Sequence, residues 1–322
     1  MLLALWDDEM DDAREKLKVE TEEFVSRIPA GDPGVGTPQQ RAASMRRTEA
    51  AMVVRSDKAV DRVVESAGGP IRFREFRPEH PAGVMLHIHG GGWATGEPAL
   101  TDLLHEALCR HLDLAIVSVY YRLAPEDPFP AGPDDCEAAA VWLVENAAHE
   151  YGTDRLLIGG ESAGAHLSAL TLLRLRDRHA AAHRFSGANL VFGAYDFSGT
   201  PSTRAAGRSD TGDLLDAGRI STMAEWFTPG WSSDERRSPE LSPLYADLRG
   251  LPPALFTVGT ADHLVDDTLF FSERWLLAGN QAELLVYPEA PHGCIGLPTV
   301  LSHWWPRLEA FLRRCLSEQN AA

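Results

Sequence analysis

The chain has 322 residues, with 30 Lys and Arg against 47 Asp and Glu, for a formal net charge of −17. That balance argues against nucleic acid or an anionic membrane as partner, because phosphate binding needs clustered Lys and Arg. The length suits one large domain or two small ones, and the 44% hydrophobic content is that of an ordinary globule with ample core.

The first six residues, Met1-Leu2-Leu3-Ala4-Leu5-Trp6, are too short for a signal-peptide core and run straight into Asp7-Asp8-Glu9. No apolar run approaches transmembrane length. Cys109, Cys136, Cys294 and Cys315 are scattered without metal-like spacing and read as reduced thiols. The expectation is a cytoplasmic protein with no bound metal.

Residues 8–28 read as a helix with Leu17, Thr21, Phe24 and Ile28 on one face. After the loop 30–36, a second helix is expected over 38–54. Residues 60–65 and 71–76 flank Gly68-Gly69 and read as a hairpin. Strands are then expected at 84–88, 115–119, 156–159, 188–192, 254–259 and 282–287, alternating with helices. That rhythm means a mostly parallel central sheet with helices on both faces, the hairpin adding an antiparallel edge. Residues 198–242 break the rhythm with a polar loop, a short helix near 214–227 and Pro229-Gly230-Trp231. There are no internal repeats.

The chemistry concentrates at strand ends. Gly160-Glu161-Ser162-Ala163-Gly164 follows an apolar strand and opens a helical run. A serine hydroxyl is a poor nucleophile, so it must be exposed and given a base. Glycines two residues to either side let the chain turn sharply beneath it. His89-Gly90-Gly91-Gly92-Trp93 follows the strand 84–88. Attack on a carbonyl puts negative charge on oxygen, and backbone N–H groups aimed there in advance stabilise it. Gly91 and Gly92 are assigned as donors, with the N–H of Ala163 as the third. Neither glycine cluster fits a nucleotide-binding pattern.

Asp262 ends Phe256-Thr257-Val258-Gly259-Thr260-Ala261-Asp262, at the carboxyl end of a strand, where an open α/β sheet presents functional groups. Asp266 and Asp267 are read as the start of the next helix, where acids suit the dipole. His292 lies in a Pro/Gly loop just past the strand 282–287, unlike His263, which adjoins the acid, and His303, which falls in the last helix. The order Ser162, Asp262, His292 is that of α/β-hydrolases.

Other signals are weaker. His87 and His89 share a strand face, but no carboxylate or cysteine in the sequence completes a metal set, and the glycine run accounts for them. His179 and His183 lack the Glu of a His-Glu-x-x-His motif and suit a helix C-terminus. His166 points into protein. Trp93, Trp226, Phe227 and Trp231 are pocket or core aromatics in equal measure, with Trp93, Trp226 and Phe24 the candidates for contact with substrate.

With Tyr121-Arg122-Leu123-Ala124-Pro125-Glu126 and Phe129-Pro130-Ala131, these motifs resemble the hormone-sensitive-lipase-like family of bacterial esterases over about residues 84–314. The resemblance implies an α/β-hydrolase fold with a helical cap, a carboxylic-ester hydrolase, no cofactor and often a homodimer. Carried over, it makes Ser162 the nucleophile, His292 the base, Asp262 its orienter, and Gly91, Gly92 and Ala163 the oxyanion hole. Three positions depart from the pattern. Glu161 replaces a common Asp and Ala165-His166 a common Gly-Asn, both matters of packing. Cys294 replaces an aromatic and bears on the acyl-side wall.

The expectation is therefore a helical cap at 1–55, a catalytic domain at 56–322, and a second cap segment at 198–242. The expected activity is hydrolysis of short- to medium-chain acyl esters through an acyl-enzyme. The same three residues would serve an amidase, lactonase or carbamate hydrolase. A ligand-binding receptor on this fold would typically lack the base. The strand 282–287, last in the chain, is expected at a sheet edge, where its free N–H and C=O groups would pair two copies. The expected partner is a small-molecule ester.

Overall fold

The computed structural model describes residues 2–4, 8–26, 35–66, 68–205 and 217–317. Nine strands form one sheet: β1 (Leu2–Ala4), β2 (Val60–Ser66), β3 (Gly69–Phe76), β4 (Gly83–Ile88), β5 (Leu114–Val119), β6 (Leu156–Glu161), β7 (Phe185–Val191), β8 (Ala254–Gly259) and β9 (Ala282–Tyr287). Their spatial order is β1-β9-β8-β7-β6-β4-β5-β3-β2. Every pairing is parallel except those of β3, which runs antiparallel to β2 and β5. The hairpin is thus the antiparallel margin of a parallel sheet.

The continuous apolar runs of β4, β5 and β8 are buried at every position. That is the signature of strands covered on both faces. Alternate residues feed two cores. Val84, Leu86, Ala115 and Val117 pack with α4 (Ala131–Tyr151), α5 (Ala163–His179) and α8 (Val265–Leu277). Met85 and Ile116 face the other way, toward α3 (Asp102–Leu112) and α9 (Pro298–Ser317). The period of two in a strand makes this split automatic.

Two helices precede the hairpin, α1 (Asp8–Ser26) and α2 (Pro38–Ala50). The second opens on a capping box in which Thr37 and Gln40 bond each other's backbone N–H. On α1, Leu17 is fully buried in the α9-side core and Phe24 packs on it. Glu20 ties α1 to α9 by accepting from the N–H and hydroxyl of Thr299. Ile28 and Leu214 lie outside the described residues. Two short helices, α6 (Pro201–Ala205) and α7 (Ala217–Phe227), occupy the stretch that breaks the α/β rhythm.

The expected edge position of β9 needs correction. Leu2–Ala4 pairs parallel with Glu283, Leu284 and Leu285, so the chain's own start covers β9 and takes the outer place. An apolar tripeptide ahead of α1 satisfies the N–H and C=O groups that a second copy would otherwise have met.

Candidate active site

Ser162 stands where β6 turns into α5, in the middle of the sheet, with φ 55° and ψ −118°. A non-glycine residue seldom holds a positive φ, and such strain persists only where its surroundings enforce it. Here the Ser162 N–H donates to the carbonyl of Val191 at 2.8 Å. Gly164 lets α5 start against β4, since a Cβ there would lie 1.8 Å from the carbonyl oxygen of Ile88. The serine is held up from the sheet by packing beneath it.

Two other strand ends supply its neighbours. His292, after β9, places Nε2 2.9 Å from Ser162 Oγ, and its Nδ1 lies 2.8 Å from Asp262 Oδ2. A carboxylate only accepts, so Nδ1–H donates to Asp262 and Nε2 is left to accept from the serine hydroxyl. Asp262, after β8, is 2% exposed. Its other oxygen accepts the N–H of Leu264 at 2.8 Å, which fixes the carboxylate plane. The imidazole packs against Phe192 at 4.7 Å between centroids. Asp266 and Asp267 do open α8, but neither meets His292. Asp266 accepts the N–H of Ser202. Asp267 is fully buried and accepts from Tyr195 N–H, Asp196 N–H and the Thr200 hydroxyl. Burial outweighs those bonds and pushes its carboxyl up to about 7.

The glycine run lies against Ser162: a Cβ on Gly90 would sit 3.6 Å from the serine Cβ. The carbonyls of His89, Gly90 and Gly91 are all taken. His89 O accepts the Tyr121 hydroxyl, Gly90 O accepts His89 Nδ1–H, and Gly91 O accepts from Ala94 N–H and Thr95. In a trans peptide the N–H points opposite the C=O. The N–H groups of Gly91 and Gly92 therefore face away from that framework. Gly91 has φ 114° and a Cβ there would lie 2.3 Å from Thr95 O, so the turn admits no side chain. Ala163 is the first residue of α5, where an N–H has no intrahelical acceptor.

The turn is gripped from α2. Glu49 accepts the Thr95 hydroxyl and the Gly96 N–H, each at 3.0 Å. Burial raises its carboxyl, while Thr95, Gly96 and the cations of Arg219 and Arg46 pull the other way. Arg46 donates to the carbonyls of Ala94 and Ala124 and pairs with Glu126. Nothing in the local sequence marks these residues, since their partners lie some 46 to 80 positions away.

Ser162, His292, Gly91 and Gly92 border one cavity of about 1320 Å³. Phe24 lines it, and Met45, Glu49, Arg219 and Met223 reach it from α2 and α7. Trp93 and Trp226 do not. Trp93, 7% exposed, stacks on Phe227 and donates its indole N–H to His166 Nδ1. Trp226 is 6% exposed beneath the Arg41 guanidinium. Both indoles complete the core under α7.

His166 and His87 are internal. His166 donates its one ring proton, on Nε2, to Leu241 O, and burial lowers its pKa to about 3. His87 bridges Ser118 and Glu161, so a carboxylate does face it, and Glu161 does more than fill space. No group of three or more His, Cys, Asp or Glu suited to a metal occurs among the described residues. Cys294 is buried beside the site, its thiol raised by burial and by the Asp262 charge, and it packs in the α9-side core.

Residues 85–296 match the protein family described as the alpha/beta hydrolase fold. The carboxylic ester hydrolase LipN of Mycobacterium tuberculosis is 34% identical over 251 residues, which take in 74% of this chain and 64% of that protein. The carboxylesterase NlhH of the same species is 37% identical over 227 residues, 68% of each chain. A solved hormone-sensitive lipase from a metagenome library superposes with a TM-score of 0.76 at 26% identity, covering 95% of this chain and 99% of that one. The chain belongs to the α/β-hydrolase fold family, among its hormone-sensitive-lipase-like esterases.

Proposed function

We propose that this protein is a serine carboxylesterase that cleaves small-molecule esters through an acyl-enzyme. The observation that carries the reading is the hydrogen-bonded line from Asp262 through His292 to Ser162, at 2.8 and 2.9 Å. His292 takes the serine proton as Oγ attacks the ester carbonyl. Asp262 holds the imidazole tautomer and stabilises the imidazolium. The N–H groups of Gly91, Gly92 and Ala163 receive the oxyanion. His292 then protonates the leaving alcohol, and water repeats the cycle on the acyl-serine.

In this reading α1, α2 and α7 form the cap. They roof the cavity through Phe24, Met45 and Met223 and keep water from the reacting carbonyl.

Ser162→Ala tests the proposal. The variant should fold and lose on the order of 10⁴-fold in kcat on an aryl acetate. A radiolabelled organophosphate should mark Ser162 alone. Full activity in the variant, or labelling elsewhere, rejects the assignment. Turnover of the matched anilide at a rate equal to the ester would make the enzyme an amidase instead.

A further inference from the structure

The cavity continues well past Ser162. One wall follows α3 and the short 3-10 turn before it, where Leu100, Leu104, Ala107 and His111 come three or four residues apart and all line it. The facing wall follows α9, with Pro298, Leu301, Ser302 and Trp305 at the same spacing. Two helices thus flank a groove. Along α3 from Leu104 to His111 it runs roughly 10 Å at 1.5 Å per residue. An extended chain advances about 1.2 Å per bond. The walled length therefore matches a chain of about eight carbons or more.

The outer groove is apolar and open. Leu103 is 61% exposed and Val54 62%, and Met52, Leu100 and Leu301 are exposed beside the same cavity. These are five of the twelve large apolar side chains that are exposed among the described residues. Exposed apolar residues scattered singly need no explanation, whereas a cluster marks a binding surface. The lining acids and cation, Glu49, Glu161 and Arg219, stand at the inner end. Glu161 adjoins Ser162, Glu49 holds the glycine turn, and Arg219 lies 3.6 Å from Glu49.

We propose that the groove between α3 and α9 binds one long alkyl chain of the ester, about eight to ten carbons, with the ester carbonyl at Ser162. The occupant follows from continuity, because the groove and the reacting serine share a single cavity. The proposal rests on the serine-esterase reading. Each methylene that enters the groove should improve kcat/KM by about threefold.

The test compares methyl acetate, methyl decanoate and decyl acetate, and in parallel titrates decanol against the fluorescence of Trp305. At least one long ester should exceed methyl acetate by roughly 10³- to 10⁴-fold in kcat/KM, and the one that gains tells which half of the ester occupies the groove. Leu103→Glu should cut that long-to-short ratio about tenfold and weaken decanol binding. The substitution is at an exposed site, and Leu301→Glu serves as an independent second variant. Decanol binding needs no turnover, so the two readings separate. Methyl acetate hydrolysis without decanol binding overturns the groove and leaves the esterase intact. Decanol binding without hydrolysis of any ester keeps the groove and rejects the esterase. A ratio unmoved by both Glu variants, with a change in sedimentation instead, makes the patch a protein interface and overturns the proposal.

Discussion

The indole N–H of Trp93 donates to Nδ1 of His166 at 3.0 Å, and both rings are buried. Trp93 also has φ 60°, so it anchors the end of the glycine turn to the first turns of α5. Trp93→Phe removes the donor and leaves a buried acceptor bare, which costs roughly 1–3 kcal/mol. The variant should melt several degrees lower while its chain-length preference stays put. An altered preference with unchanged melting would return Trp93 to the pocket wall.

Asp262→Asn should lower kcat by about 10⁴-fold, because an amide in that place favours the wrong imidazole tautomer. Asp266→Asn, whose acid meets Ser202 instead, should stay within a few-fold of wild type. Steady-state kinetics on one aryl ester decides it. A larger loss at Asp266 would reassign the orienting acid.

Asp267 gives the fold a pH dependence. Its folded value of about 7 exceeds the ordinary 3.8, so between those limits the native state holds a proton that the unfolded chain has released. Stability from this group is complete below about 4 and is lost as pH rises through 7. Asp267→Asn keeps a neutral acceptor for the N–H groups of Tyr195 and Asp196. Melting wild type and variant at pH 5 and pH 8 should show the variant losing less over that interval, by about 2 °C or more. Parallel curves would mean that Asp267 does not titrate there.

Glu49→Ala frees the Thr95 hydroxyl and the Gly96 N–H that hold the glycine turn. Small misplacements of oxyanion donors are costly, so kcat should fall about 10- to 10²-fold with KM little changed. Glu49→Gln, which can still accept, should recover part of the loss. A change confined to KM would place Glu49 in substrate contact only.

Phe24 borders the cavity and its ring approaches Gly296. Phe24→Ala enlarges the site from the α1 side and should shift the acyl-length optimum upward. An unshifted optimum assigns length selection to the α3 and α9 walls alone.

Much of this protein is written locally. The alternation of apolar runs with helical stretches specified a mostly parallel sheet, because a strand covered on both faces must be apolar throughout. The Gly-Glu-Ser-Ala-Gly turn, the glycine run and the strand-end Asp262 and His292 were equally legible. Their requirements are met within a few residues: a φ that the backbone must hold, a Cβ that must be missing, a position at a strand's carboxyl end. Direction and partnership across the chain were not legible. Trp93 sits beside the glycine turn in sequence, yet its ring turns inward, because Phe227 and His166 wait for it from two other helices. Asp267 reads as a dipole-favoured helix acid, but the loop at Tyr195 and Asp196 closes over it and buries it. Leu2–Ala4 carries no mark of a strand until β9 offers an open edge. Glu49 looks like any surface acid until α2 is laid across the glycine turn. In each case the deciding contact spans tens to hundreds of residues, and only the packed fold brings its two ends together.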